Sequence, residues 1–370
     1  DASGASQLDP KTQVASLHGV TMLDAAQNPL ETNIALALVH EAGGENDRAL
    51  VNAAVGSFLN LHGTPVLVAV QASREDGNAP NAVMAAAACL IGPKRVEPAR
   101  RAVRFMVDAF AEAGLKNALD EEFDFGAVVP DDTVRGLLVG RKKDADAEAL
   151  LAGLRERGVR SAFVRYLESL GGHPTADGVL AAVSATLAWG PLMRKRISRL
   201  SVENLPWSLK LAGTLLGASV PAERHEAGRF CGVSNEEMLG RRSLTEVAYL
   251  GLLGQEPRPE DLFVFQTLIG LLLTNGPGAI SIQGVKGAVS ADGPETPERV
   301  QLNKALVGFL SHSGYAHGGN GYEGIAFLLD QFKDKGLTDP TDPAHGIDLK
   351  AMATGFARAY RREKKASKEI

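Results

Sequence analysis

Residues 177–190 read DGVLAAVSATLAWG, and residues 81–91 read NAVMAAAACLI. Both runs are apolar on nearly every side of a helical wheel, the pattern of helices buried in a core. Their side chains are small. Aromatic residues make up only 5% of the chain, while glycine is plentiful at 40 residues. With few large rings to fill space, a core of this composition is made by helices approaching closely through Ala and Gly. That predicts a mainly α-helical protein rather than a β-sandwich.

Other helical segments lie on either side. Arg48 to Leu61 places Leu50, Ala53, Ala54, Phe58 and Leu61 at helical spacing. Pro98 opens a helix with Ala102, Phe105, Met106, Ala109 and Phe110 on one face, and Gly114 suits its C-terminus. Further helices are predicted over 202–216, 243–253, 262–273, 300–310 and 321–332, with 262–273 apolar all round and not all of it expected to be covered by a single chain. A short strand is expected at 136–140 and a loop at 286–299. The polar stretch PAERHEAGR (221–229) is the best domain boundary. The organisation read from this pattern is a loose leader over 1–20, a first unit over 21–221 and a second over 222–370. The basic tail RAYRREKKASKE is expected to be solvated.

Composition limits the function. The 370 residues carry 39 Lys and Arg against 44 Asp and Glu, a net charge of −5. A mildly acidic chain has no global field that draws it to nucleic acid. Two cysteines, Cys89 and Cys231, cannot build a disulfide framework or a four-cysteine zinc site, which fits a reducing cytoplasm. No secretory signal pattern or membrane span is expected, and no metal. The chain has no phosphate loop of the GxxxxGK[ST] type, and no HExxH, GxSxG or CxxC motif.

An approximate repeat is present. Glycine-containing breaks with polar side chains occur at HEAGGEN (40–46) and IGPKRVEPA (91–99), and again at NGPGAIS (275–281) and SGYAHGGNG (313–321). LVGRKKD (138–144) and HPTADGVLAAV (173–183) follow the first pair. In this order the motifs resemble the citrate synthase superfamily, nearest to the citryl-CoA lyase module of ATP-citrate lyase. The resemblance covers most of 30–220 and again 235–335. It implies a citrate-synthase-like helical fold in two tandem copies, the second incomplete. The chain would then be a piece of a longer polypeptide, or a partner subunit would supply the rest.

The resemblance also implies a chemistry. Such proteins make or break a carbon–carbon bond beside a coenzyme A thioester. A carboxylate takes the acyl proton, one histidine stabilises the enol, a second polarises a keto group, and cations hold carboxylates. Asp177 matches the base, although an Asp before an apolar helix is also a good N-cap. His40 stands near the first histidine in the first copy, and Asn275 replaces it in the second. The second histidine is missing where Gly140 meets Arg141. Arg141, Lys142 and Lys143 are candidates for the coenzyme A phosphates, or a solvated surface run. His317, with Gly318 and Gly319, matches a glycine-rich turn near the active centre, or is a helix-packing turn. His62, His225, His312 and His345 read as surface or structural. The function implied is an acyl-CoA carbon–carbon lyase or synthase acting on an acyl-CoA and a carboxylic acid, in a homo-oligomer or with a partner subunit. The alternative is a catalytically degenerate homologue with a structural or regulatory role.

Overall fold

The computed structural model describes residues 5–293, 299–314, 317, 321–337 and 344–367. Contacts divide the chain into two units at Gly314/Tyr315. The first unit opens with an antiparallel meander of β1 (Ser6–Leu8), β2 (Ala15–Leu17) and β3 (Val20–Thr21), in register Ser6 with Leu17 and Ser16 with Thr21. This stretch was expected to be loose. Strands of two or three residues are too short to show alternation, and the meander is tied down by the Ser6 hydroxyl, 2.6 Å from Thr274 Oγ1.

Helices α1 (Met22–Ala25), α2 (Leu30–Val39), α3 (Glu45–Gly56), α4 (Pro65–Glu75), α5 (Pro80–Cys89) and α6 (Glu97–Glu112) follow. The expected strand at 136–140 is mostly helix. α7 (Asp132–Leu138) passes into β4 (Val139–Gly140), which pairs with β5 (His173–Pro174) across α8 (Ala145–Glu156) and α9 (Ala162–Ser169). Asp131 explains the difference, because its carboxylate caps α7 by accepting the Val134 N–H at 2.8 Å. Next come α10 (Ala176–Met193), α11 (Arg199–Ser219), the meander β6 (His225–Glu226), β7 (Arg229–Phe230) and β8 (Val233–Ser234), and α12 (Asn235–Gly240). α13 (Leu244–Leu253), α14 (Pro259–Leu271), α15 (Ile280–Asp292) and α16 (Leu302–Ser311) complete the unit. Eighteen helices and eight very short strands among the described residues make the protein mainly α.

α10 is the centre of the core. It packs on α6, α8, α9 and α11, and every residue from Gly178 to Trp189 is buried. By length and composition it could cross a bilayer, but 72% of it is buried inside the fold, as a core helix should be. Its hydroxyls are satisfied within the helix. Ser184 donates to the Leu180 carbonyl and Thr186 to the Ala182 carbonyl. The scarce rings gather at one end of the helix, where Phe110 lies 4.5 Å from Phe163 and 5.2 Å from Tyr166, and Phe163 lies 5.4 Å from Trp189. Burial pushes the Tyr166 hydroxyl up to about 12, and it donates to the Val128 carbonyl.

Small residues do bring helices together. A Cβ on Gly213 or Gly217 of α11 would overlap the carbonyl oxygens of Val55 and Leu59. Gly213→Ala is therefore expected to cost about 1–3 kcal/mol through overpacking, read as a lower urea midpoint with unchanged slope.

Two expectations change. The core crosses residues 221/222 without a break, since Val220, Phe230, Val233, Leu244 and Val247 pack with Val51 and Leu154. The polar stretch there is a small meander on that core. The loop expected at 286–299 is helical as far as Asp292. Just before that stretch, Gly284 of α15 lies directly against the backbone of Gly308 of α16. α14 is the apolar helix expected at 262–273, and only part of it is covered. Gly270 packs on Ala25 and Ala26, while Phe263, Val264, Leu268 and Leu272 face outward. Composition alone does not say which sides of an all-apolar helix are covered.

The second unit contains α17 (Gly321–Phe332), as expected, and α18 (Leu349–Ser367), which makes the basic tail helical. The Phe327 and Phe356 rings meet at 4.2 Å.

Candidate functional site

Thr175, not Asp177, caps α10: its Oγ1 accepts the Gly178 N–H at 2.9 Å. The capping alternative for Asp177 is thereby removed. Asp177 sits one residue inside the helix start, half-buried, with no hydrogen bond or ion pair to its carboxylate among the described residues. Burial pushes this carboxyl above its ordinary value. Lys210 pulls it back down and Asp144 pushes it further up. Asp144 joins two helix starts, because its Oδ1 accepts the amides of Asp146 and Ala147 and its Oδ2 accepts the Ala176 amide at 2.9 Å.

Lys210 comes from the middle of α11. Its ammonium lies 5.1 Å over the Phe58 ring and makes no hydrogen bond or ion pair among the described residues. Burial lowers its pKa, with Asp177 the strongest opposing influence. The side chain lines a cleft of about 440 Å³. The other walls are Asn60, His62 and Thr64 after α3, Arg95, Asp146 of α8, Ala176 next to Asp177, and Asn235 with Met238 of α12.

The turn that carries His62 is built by its own sequence. Gly63 adopts a positive φ of 70°, Thr64 caps α4 by accepting the Leu67 N–H, and Pro65 takes the first helical position. The His62 Nδ1 lies 3.2 Å from the His225 carbonyl oxygen. A carbonyl only accepts, so Nδ1 carries the hydrogen, and in the neutral ring Nε2 is the acceptor.

The structure separates the other sequence candidates. His40 ends α2 in the left-handed region, with Nδ1 3.1 Å from the Arg196 carbonyl and its ring stacked on His18 at 3.8 Å. Arg196 follows the far end of α10. His40 is therefore an 18-residue helix away from Asp177, about 27 Å, and the two do not share a site. Order along the chain did not reveal which end of α10 each break meets. Asn275 is exposed, on a turn whose Gly276 faces Leu8 of β1, outside the cleft lining. Arg141, Lys142 and Lys143 are exposed on the turn just before Asp144, and Lys143 pairs with Glu148 at 3.2 Å. Gly140 pairs with His173 in the β4–β5 ladder, which brings this turn beside the start of α10. His317 belongs to the second unit, and Gly318 and Gly319 lie outside the described residues.

Sequence reading missed His62, Lys210, Arg95 and Asp146. A signal for His62 was present: Leu-His-Gly-Thr-Pro (61–65) is a turn with a capping threonine and a helix-starting proline, a polar break like the others. Lys210 gave none, being one lysine in a helical stretch.

The histidine stack makes stability pH-dependent. Burial and the neighbouring ring of His40 depress His18 from 6.5 to about 4, and burial lowers His40 as well. The unfolded chain then binds protons first as pH falls, so the contribution is full above pH 6.5 and is lost on the way to about 4. Urea midpoints are expected to fall over that interval, and less steeply for His18→Gln; equal slopes for the two proteins would contradict it.

No family model, curated protein or solved structure matches the chain.

Proposed function

We propose that this cleft binds an acyl-CoA thioester with a keto acid, or their condensation product, and makes or breaks the carbon–carbon bond between them. One observation carries the reading: Lys210 lines a cleft together with His62 and with Ala176, the neighbour of Asp177, and its ammonium draws the Asp177 carboxyl down. In the forming direction, Asp177 takes a proton from the carbon next to the thioester. A carboxyl held above its ordinary value suits that transfer. Proton removal leaves an enolate, whose oxygen accepts from the Arg95 guanidinium on the cleft wall. Its carbon attacks the keto group, whose oxygen takes the proton held by Asp177, and the resulting hydroxyl donates to Nε2 of His62. Lys210, with no hydrogen-bond partner among the described residues, holds a carboxylate of the keto acid. The exposed cations Arg141, Lys142 and Lys143 beside the start of α10 suit the coenzyme A phosphates.

A degenerate, non-catalytic subunit is the second reading. It is favoured by the junction of Gly140 and Arg141 without a histidine, and by Asn275 on its exposed turn. Thermal shifts with coenzyme A, acetyl-CoA, citrate and malate test both. Ligand at a hundred times its Kd stabilises by about 2.7 kcal/mol. A melting rise with coenzyme A that shrinks as salt rises is expected. Turnover separates the two readings, and no shift with any of the four compounds removes the first.

A further inference from the structure

His225 is one of the few polar residues fully inside the fold, and both of its ring nitrogens are committed. Its Nδ1 accepts the Leu61 N–H at 3.0 Å, and its Nε2 lies 3.1 Å from the Gly217 carbonyl oxygen, which it must donate to. The ring is therefore the neutral Nε2–H form, and burial favours that neutral state. The backbone carbonyl of the same residue accepts from Nδ1 of His62. One residue thus grips two consecutive residues of the cleft rim, 61 by its side chain and 62 by its backbone.

Asn60 closes the clasp from the other side. Its Nδ2 donates to the carbonyls of Glu226 and Arg229, each at 2.9 Å, and its Oδ1 accepts the His62 N–H at 3.1 Å. Residues 60–62 and the β6–β7 hairpin are locked together by hydrogen bonds of fixed direction. Such bonds do more than add stability. A histidine free in water exchanges its proton between the two nitrogens, whereas the clasp leaves His62 only one arrangement.

We infer that His225 is a positioning residue for His62: it holds the 61–62 backbone so that Nδ1–H of His62 faces a carbonyl and Nε2 is left bare for a ligand in the cleft. The inference deepens the reading of His62 as the acceptor for the product hydroxyl and rests on it for its purpose. Its test does not depend on that reading, because it reads the state of the ring and not turnover.

The test is long-range ¹H–¹⁵N correlation on the full chain at pH 8, with the His62 signals assigned by their loss in His62→Gln. The wild type is expected to show two histidines in opposite tautomers, His62 protonated on Nδ1 and His225 on Nε2. In His225→Phe, which keeps ring volume and removes both side-chain bonds, His62 is expected to become a mixture of tautomers. The Leu61 amide should exchange at least tenfold faster. His225→Asn places an acceptor oxygen where Nδ1 stood, so it should restore the single His62 tautomer. If the phenylalanine chain does not fold, by circular dichroism, His225→Leu is read in its place. A wild-type His62 protonated on Nε2 overturns the inference. So does a single unchanged tautomer in the phenylalanine or leucine variant.

Discussion

Asp177→Asn is expected to stop proton removal from the methyl group of acetyl-CoA while leaving the fold as stable as before, or slightly more so. The loss should be about 10²–10⁴-fold, the range for removing a positioned general base. The sign of the stability effect follows from the environment. Burial and Asp144 hold the carboxyl above its ordinary value, so at neutral pH the folded state carries a charge it disfavours relative to the unfolded chain. Asparagine removes that charge and keeps the volume. The cap is unaffected, because Thr175 makes it. Exchange of the acetyl-CoA methyl protons for deuterium, followed by NMR, reads the step without needing the second substrate. Exchange in the variant at the wild-type rate would show that Asp177 is not the base, and a lowered melting point would show that its carboxylate is structural.

Legibility followed a physical line. The buried helix 177–190 was readable because an all-apolar run of that length has few places to go, and α10 is the core. Close approach through small residues was readable from composition, and Gly213, Gly217, Gly284 and Gly308 bear it out. Glycine misled at 286–292, where Gly287 sits inside α15 with open space beside it, because a glycine within a helix and one that frees a turn look alike in sequence. Asp177 stood out at the start of that helix. His62 was passed over because its significance lies in contacts with residues about 165 positions later in the chain, through His225 and Asn60. His40 was chosen for its place in the order of motifs, which carries no information about which end of α10 it meets.

Lys210 is the case that sequence could least have supplied, and it makes the second large prediction. Lys210→Met keeps the length of the side chain and its packing on Phe58 but removes the charge. A hydrogen bond to a charged group contributes about 1.5–3 kcal/mol. If Lys210 holds a substrate carboxylate, KM for the keto acid should rise about 10- to 150-fold. KM for acetyl-CoA should stay close to its wild-type value, since the triplet 141–143 lies on a different turn. A second effect follows from the coupling of the two groups. Lys210 is what draws the Asp177 carboxyl down, so its removal leaves burial and Asp144 to push that carboxyl higher. The acid limb of the rate profile should therefore move to higher pH in the methionine variant, because a base of higher pKa is lost to protonation sooner as pH falls. A uniform binding role would change KM alone. A shift of the limb together with a raised KM for the keto acid would place Lys210 between substrate and base, and an unchanged KM for every carboxylate tested would remove it from the site.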